Sequence, residues 1–174
     1  LIARVEARLA APPAAAPPAA TWQTLDPAQA EYRRVRATGV LLHERETLVD
    51  ALTELGPGFW VLTPLRTAEG TILVNRGFVP PERRAPSRRP PPPDGKVTIT
   101  GLLRLSEPDG RFLRPNRPAE GRWFSRDVAA IAAARGLGPV APFFMDADAS
   151  RDRAGGPIGG LTVVRFRNTH LIYA

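Results

Sequence analysis

The chain of 174 residues has no cysteine, which excludes disulfides, thiolate metal sites and thiol redox chemistry. Lysine is nearly absent as well: Lys96 is the only one, and the formal charge of +7 comes almost wholly from arginine. Beside abundant alanine and proline, this reads as a compositional bias of the source rather than a surface for nucleic acid. No window approaches the roughly 18 consecutive apolar residues that span a bilayer, so no segment is expected to cross a membrane as a helix. Neither a G-x-S-x-G elbow nor a G-x-x-x-x-G-K-[ST] phosphate loop occurs, and Gly155, Gly156, Gly159 and Gly160 flank Pro157 without dinucleotide spacing. With no catalytic constellation left, the chain reads as a non-enzyme.

What is present is mostly strand pattern. The length fits one domain with a real core. Residues 1–9 can form a short helix with Ile2, Val5 and Leu9 on one side, a helix too short to be stable unless packed. Alanines interrupted by Pro12, Pro13, Pro17 and Pro18 then read as a semi-rigid spacer. The expected division is therefore 1–21, helix and Ala/Pro linker, and 22–174, a single β-rich domain.

From Tyr32 onward the period is two. Val35, Ala37, Gly39 and Leu41 share one face, and Val97, Ile99, Gly101 and Leu103 repeat the pattern. A glycine inside each strand marks a sharp bend, which favours a curved sheet or barrel over a flat one. Residues 59–66 and 71–79 flank Thr67-Ala-Glu-Gly70 as a hairpin. Segment 46–55 is open between strand and helix, because Leu48, Ala51, Leu52 and Leu55 also fit helical spacing. The proline-rich stretch 80–95, with Arg83, Arg84, Arg88 and Arg89, predicts an exposed loop. A helix is expected over 125–136, with Ser125 as cap, Val128, Ile131 and Ala132 inward and Gly136 as terminator. Segments 143–146 and 161–168 complete about seven strands. The fold class expected is α+β, mainly β: a curved antiparallel sheet or partly closed small barrel of about 6–8 strands with one packed helix.

Among single residues, His170 stands at an element boundary after Val164, Phe166 and Asn168, where an imidazole is either a hydrogen-bonded structural group or an axial haem ligand. His43 reads as part of a solvated turn. Asp146, Asp148 and Asp152 suggest a calcium loop until Arg151 and Pro157 are found where that motif needs glycine and glutamate. Glu107 and Asp109 sit in the turn-like SEPDG and make no acid–base pair. Trp60, Trp123 and Phe124 read as core. Arg165 and Arg167 alternate on one side of the last strand, either as solvated edge charges or as contacts for lipid phosphates or haem propionates.

Four phrases together carry a resemblance: WVLTPLR at 60–66, VNRGFVP at 74–80, TGLL at 100–103 and NTHLIYA at 168–174. In this order the chain resembles the surfeit locus protein one family of cytochrome c oxidase assembly factors. An aromatic pair before an R-D dipeptide, here Trp123-Phe124 before Arg126-Asp127, also recurs in that family. The resemblance implies a water-facing domain on the periplasmic side of a bacterial inner membrane, with transmembrane helices before residue 1 and after Ala174. It implies a chaperone for haem a that helps place it in the catalytic subunit of cytochrome c oxidase, with haem a synthase as donor. In this family a histidine of the last phrase is implicated in haem binding, which carries that role to His170. A haem-free scaffold for oxidase subunits shares the fold and differs only at that residue. An oligonucleotide-binding barrel is the more distant alternative; it needs basic residues interleaved with exposed aromatics, whereas many arginines here cluster in the proline loop, and no nucleic-acid partner is expected.

Overall fold

A computed structural model describes residues 2–108, 114–149 and 155–161. Within them, helix α1 (Ile2–Ala10) and the two-residue strand β1 (Ala14–Ala15) lead through a 3-10 turn to the short helix α2 (Pro27–Ala30). Six longer strands follow: β2 (Arg34–Leu41), β3 (Thr47–Thr53), β4 (Gly56–Thr67), β5 (Gly70–Val79), β6 (Lys96–Leu105) and β7 (Val140–Ala147), with α3 (Val128–Arg135) before the last. The ambiguous segment is thus a strand, pairing Thr47 with Leu62 and Thr53 with Gly56 as an edge of β4.

The sheet order is β1-β2-β6-β7-β5-β4-β3, and β2 also pairs with β4. Strands β2, β6, β7, β5 and β4 therefore close into a five-stranded barrel, with β1 and β3 as additions at its margins. The barrel is more closed than the sequence pattern suggests, and it is mixed. β7 lies antiparallel to β6 and parallel to β5. The chain passes from β5 to its parallel neighbour β7 by way of β6 and α3, since a parallel neighbour cannot be reached by a tight turn.

The glycines of the repeated strands stand at the closing contacts. Gly39 pairs with Val97 of β6 and with Thr67 of β4, and Gly101 pairs with Ala147 of β7. A Cβ on Gly101 would stand 2.7 Å from the carbonyl carbon of Asp146, and one on Gly39 would stand 2.8 Å from that of Arg66. Both positions need the backbone approach that only glycine allows. Gly101→Ala is expected to lower stability by about 1–3 kcal/mol through this overpacking. Urea denaturation should show a lower midpoint with an unchanged slope; an unchanged midpoint would contradict the closure described here.

Strand alternation sorts the core into an inside and an outside. Val35, Leu41, Leu65, Ile72, Val74, Leu103, Phe143 and Met145 fill the interior, with Trp22 edge-on to Phe143 at 6.4 Å. Leu62, Leu73 and Phe144 point the other way and are covered by Val49, Trp123, Val128 and Ile131. Leu102, also outward, is covered by Val5 and Leu9 of α1 together with Tyr32. Burial on both faces explains why β5 reads as a nearly continuous apolar run rather than a clean alternation.

One local expectation changes. The helix cap is Asp127, whose Oδ1 accepts from the Ala130 amide at 3.2 Å, while the Ser125 hydroxyl accepts from Asn116 Nδ2 at 2.9 Å. The inward stripe of Val128, Ile131 and Ala132 and the terminating Gly136 are as expected. The proline-rich stretch is exposed along most of its length but is pinned by Arg89, whose guanidinium pairs bidentately with Glu46 at 3.2 and 2.7 Å and donates to the carbonyls of Arg83 and Arg84. The predicted strand over 161–168 lies, beyond Leu161, outside the described residues.

Candidate functional site

The outer face of the barrel carries a buried ionic network between its two apolar patches. Asp146, which interrupts the apolar run Phe143-Phe144-Met145, faces outward beside Asn75 of β5, its register partner. It accepts from Asn75 Nδ2 at 2.9 Å, Arg104 Nη1 at 2.7 Å and Arg126 Nη1 at 3.4 Å. Arg126 in turn forks onto Glu107, Nε to Oε1 at 3.1 Å and Nη2 to Oε2 at 2.9 Å, and its amide donates to the same carboxylate at 2.9 Å. Its guanidinium lies over Trp60 at 5.3 Å and Phe144 at 4.8 Å, and Arg104 lies over Tyr32 at 5.2 Å. Planar arginine suits such a place, because its donors reach carboxylates in the plane while its faces stack on rings.

The charges are mutually compensated. Burial alone would push the Glu107 carboxyl up, but its hydrogen bonds and charge attraction to Arg126, helped by Arg104, hold it below its ordinary value. Burial likewise works against the charge on Arg104, and Asp146, Tyr32 and Glu31 overcome it, raising that pKa. Compensated in this way, carboxylates and guanidinia hold geometry rather than move protons. The network ties β5, β6 and β7 to Glu107 at the start of the β6–β7 connection and to Arg126 just before α3.

The network also marks where the chain leaves the described fold. Ile158 forms a two-way backbone bridge with Phe78, and the Gly160 amide donates to the Ala147 carbonyl at 3.0 Å. Leu161 lines the same small crevice as Asn75 and Asp146. The residues that follow it in sequence include Arg165, Arg167 and His170, all of which lie outside the described residues, as do Asp109, Arg151 and Asp152.

The structure places the remaining candidates individually. His43 is not a free turn residue: its Nε2 lies 2.7 Å from the Pro93 carbonyl, which can only accept, so that nitrogen carries the proton and the ring tethers the proline stretch. Asp148 pairs with Arg34 rather than joining Asp146 in a loop. Trp123 is core, at 2% exposure. Trp60 is half-buried and serves as the platform for Arg126, and Phe124 is flanked by Arg114 and Arg122 at 5.3 and 5.2 Å. Glu107, set aside as a turn residue, is a buried member of the network. Asn75 and Asp146 could have been found as polar residues breaking apolar strand runs.

Comparison with known proteins gives the same family as the sequence phrases. The family model described as the SURF1 family matches residues 1–174. A SURF1-like protein of Monosiga brevicollis is 37% identical over 188 residues, covering 99% of this chain and 69% of its own length. Surfeit locus protein 1 of Rattus norvegicus and of Homo sapiens are each 35% identical, covering 99% of this chain and 60% and 62% of their own lengths. The chain thus spans about two thirds or less of these curated relatives, and it belongs to the SURF1 family, an assembly-factor family rather than a catalytic one.

Proposed function

We propose that the protein is an assembly factor for cytochrome c oxidase that holds haem a and helps its insertion into the catalytic subunit. The observation that carries this reading is the phrase Asn168-Thr-His-Leu-Ile-Tyr-Ala174 in a chain that matches the family along its whole length. His170 supplies an axial ligand to the haem iron, which is cargo rather than a resident cofactor. The protein has one other histidine, His43, and its Nε2 is engaged by Pro93. Arg165 and Arg167 meet haem propionates or lipid phosphates at the membrane surface. Membrane helices on either side of this chain enclose the porphyrin, and the barrel stands on the periplasmic side of the bacterial inner membrane. Haem a synthase is the donor and the oxidase catalytic subunit the acceptor. No substrate bond is broken in this cycle.

The test is a haem titration of the protein with its membrane helices against His170→Ala. The expected result is a shifted Soret band and an affinity lower by at least about tenfold, roughly 1.4 kcal/mol, in the variant. An unchanged band and affinity would remove His170 from the site.

A further inference from the structure

The barrel has an open mouth at the end where β5 and β7 finish and β6 begins. A groove of about 630 Å³ lies there, lined by Leu41, Val97, Ile99 and Ala147, walled by Pro90 to Pro93, and reached by the side chain of Arg76. Arg76 comes two positions after the interior residue Val74, at a bulge: the pairs Trp60 with Phe78 and Leu62 with Asn75 leave Arg76 and Gly77 together opposite Val61. Bulges re-aim side chains, and this one sets a guanidinium in an otherwise largely apolar mouth.

Among the described residues no carboxylate pairs directly with that cation. Arg76 makes no hydrogen bond or ion pair among the described residues, although it is only partly exposed. The nearby carboxylate, Glu46, has both oxygens committed to Arg89. Asp148, the acidic residue of the groove lining, is committed to Arg34. Burial lowers the Arg76 pKa, Glu46 raises it and Arg89 lowers it again, but an arginine in such a setting keeps its proton. The mouth therefore combines apolar walls with a positive charge that no carboxylate among the described residues pairs with directly, in the size range of small-molecule pockets.

We infer that this mouth binds a carboxylate carried on an apolar body, with the anion on Arg76 and the body along Val97, Ile99 and the proline wall. The inference does not depend on haem being the cargo, since a fatty acid and a porphyrin propionate present the same chemistry. It also places the site on the barrel and does not involve His170.

Calorimetric titration of the 174-residue chain with sodium dodecanoate and with protoporphyrin IX tests it, each probe being matched by its methyl ester or dimethyl ester. At least one acid should bind saturably, its ester should bind about tenfold or more weakly, and Arg76→Gln should reduce the acid to the level of the ester while leaving the ester unchanged. Which acid binds distinguishes a fatty-acid site from a porphyrin site. Absence of binding by both acids, or equal binding of acid and ester by the unaltered chain, would overturn the inference whatever the folding of the variant. Failure of this titration leaves the His170 result untouched, so the two outcomes are separable.

Discussion

Arg126→Ala is expected to destabilise the protein by about 3–5 kcal/mol, because it strands Glu107 and deprives Asp146 of one of its cationic partners where water cannot replace them. Arg126, Glu107 and Asp146 are 8%, 7% and 7% exposed, so the lost partner is not made good by solvent. Arg126→Lys should recover little of the loss, since an ammonium cannot fork onto Glu107 while stacking between Trp60 and Phe144. The cost is a cost of breaking the network rather than a measure of its worth. Replacing Arg126 and Glu107 together by methionine should therefore be much milder than either single change. Urea denaturation at pH 7 of the parent, Arg126→Met, Glu107→Met and the double methionine variant checks this; a double variant as unstable as the sum of the singles would contradict the pairing.

The same network sets an acid response. Glu107 is held below its ordinary value of 4.5, so its contribution is complete above that value and is lost as pH falls through the lower value of the folded protein. Stability should thus decline on acidification below about pH 4.5, and Glu107→Gln should flatten that part of the decline.

Trp123→Ala is expected to cost a similar amount, about 3–5 kcal/mol, for an apolar reason. The indole is 2% exposed and fills the space between Val49 of β3, Leu62, Leu73 and Phe144 on the barrel, and Val128 and Ile131 on α3. Its backbone carbonyl accepts from the Asp50 amide at 2.9 Å, so the residue also ties down the edge strand β3. α3 has only eight residues and depends on this packing rather than on intrinsic helicity. Far-ultraviolet dichroism should show lost helix together with the lowered denaturation midpoint. Leu52→Ala, at a side chain 79% exposed on the β3–β4 hairpin, should stay within about 0.5 kcal/mol of the parent. A tryptophan variant as stable as the leucine variant would show that the outer patch is not a core.

Period-two alternation carried most of the fold. The repeated Val-x-x-x-Gly strands announced both bends that bring the sheet round to closure, and the turn Thr67-Ala-Glu-Gly70 announced the β4–β5 hairpin. Full closure was less legible, because it depends on β2 splitting its pairing between β6 and β4, which no local pattern encodes. Nor does alternation reveal the parallel β5–β7 pair, whose strands are separated in sequence by β6 and α3.

The ionic network was hidden for a related reason. Glu107 meets Arg126 only after folding and in sequence looks like an ordinary turn residue, while Asn75 and Asp146 leave no trace beyond breaking apolar strand runs. An arginine-rich composition also hides that Arg89, Arg104 and Arg126 are individually paired and largely buried. The cap at α3 shows how tertiary contacts choose between local options. Ser125 and Asp127 can both cap, but sinking Arg126 into the network draws Ser125 to Asn116 and leaves Asp127 at the helix start.

The most direct test of the functional reading is to recover the full-length protein from cells assembling the oxidase and to measure bound haem a spectroscopically. The reading predicts haem a in near-stoichiometric amount, lost in His170→Ala, together with the oxidase catalytic subunit. A colourless protein that still brings down that subunit would contradict it and leave a scaffold in its place.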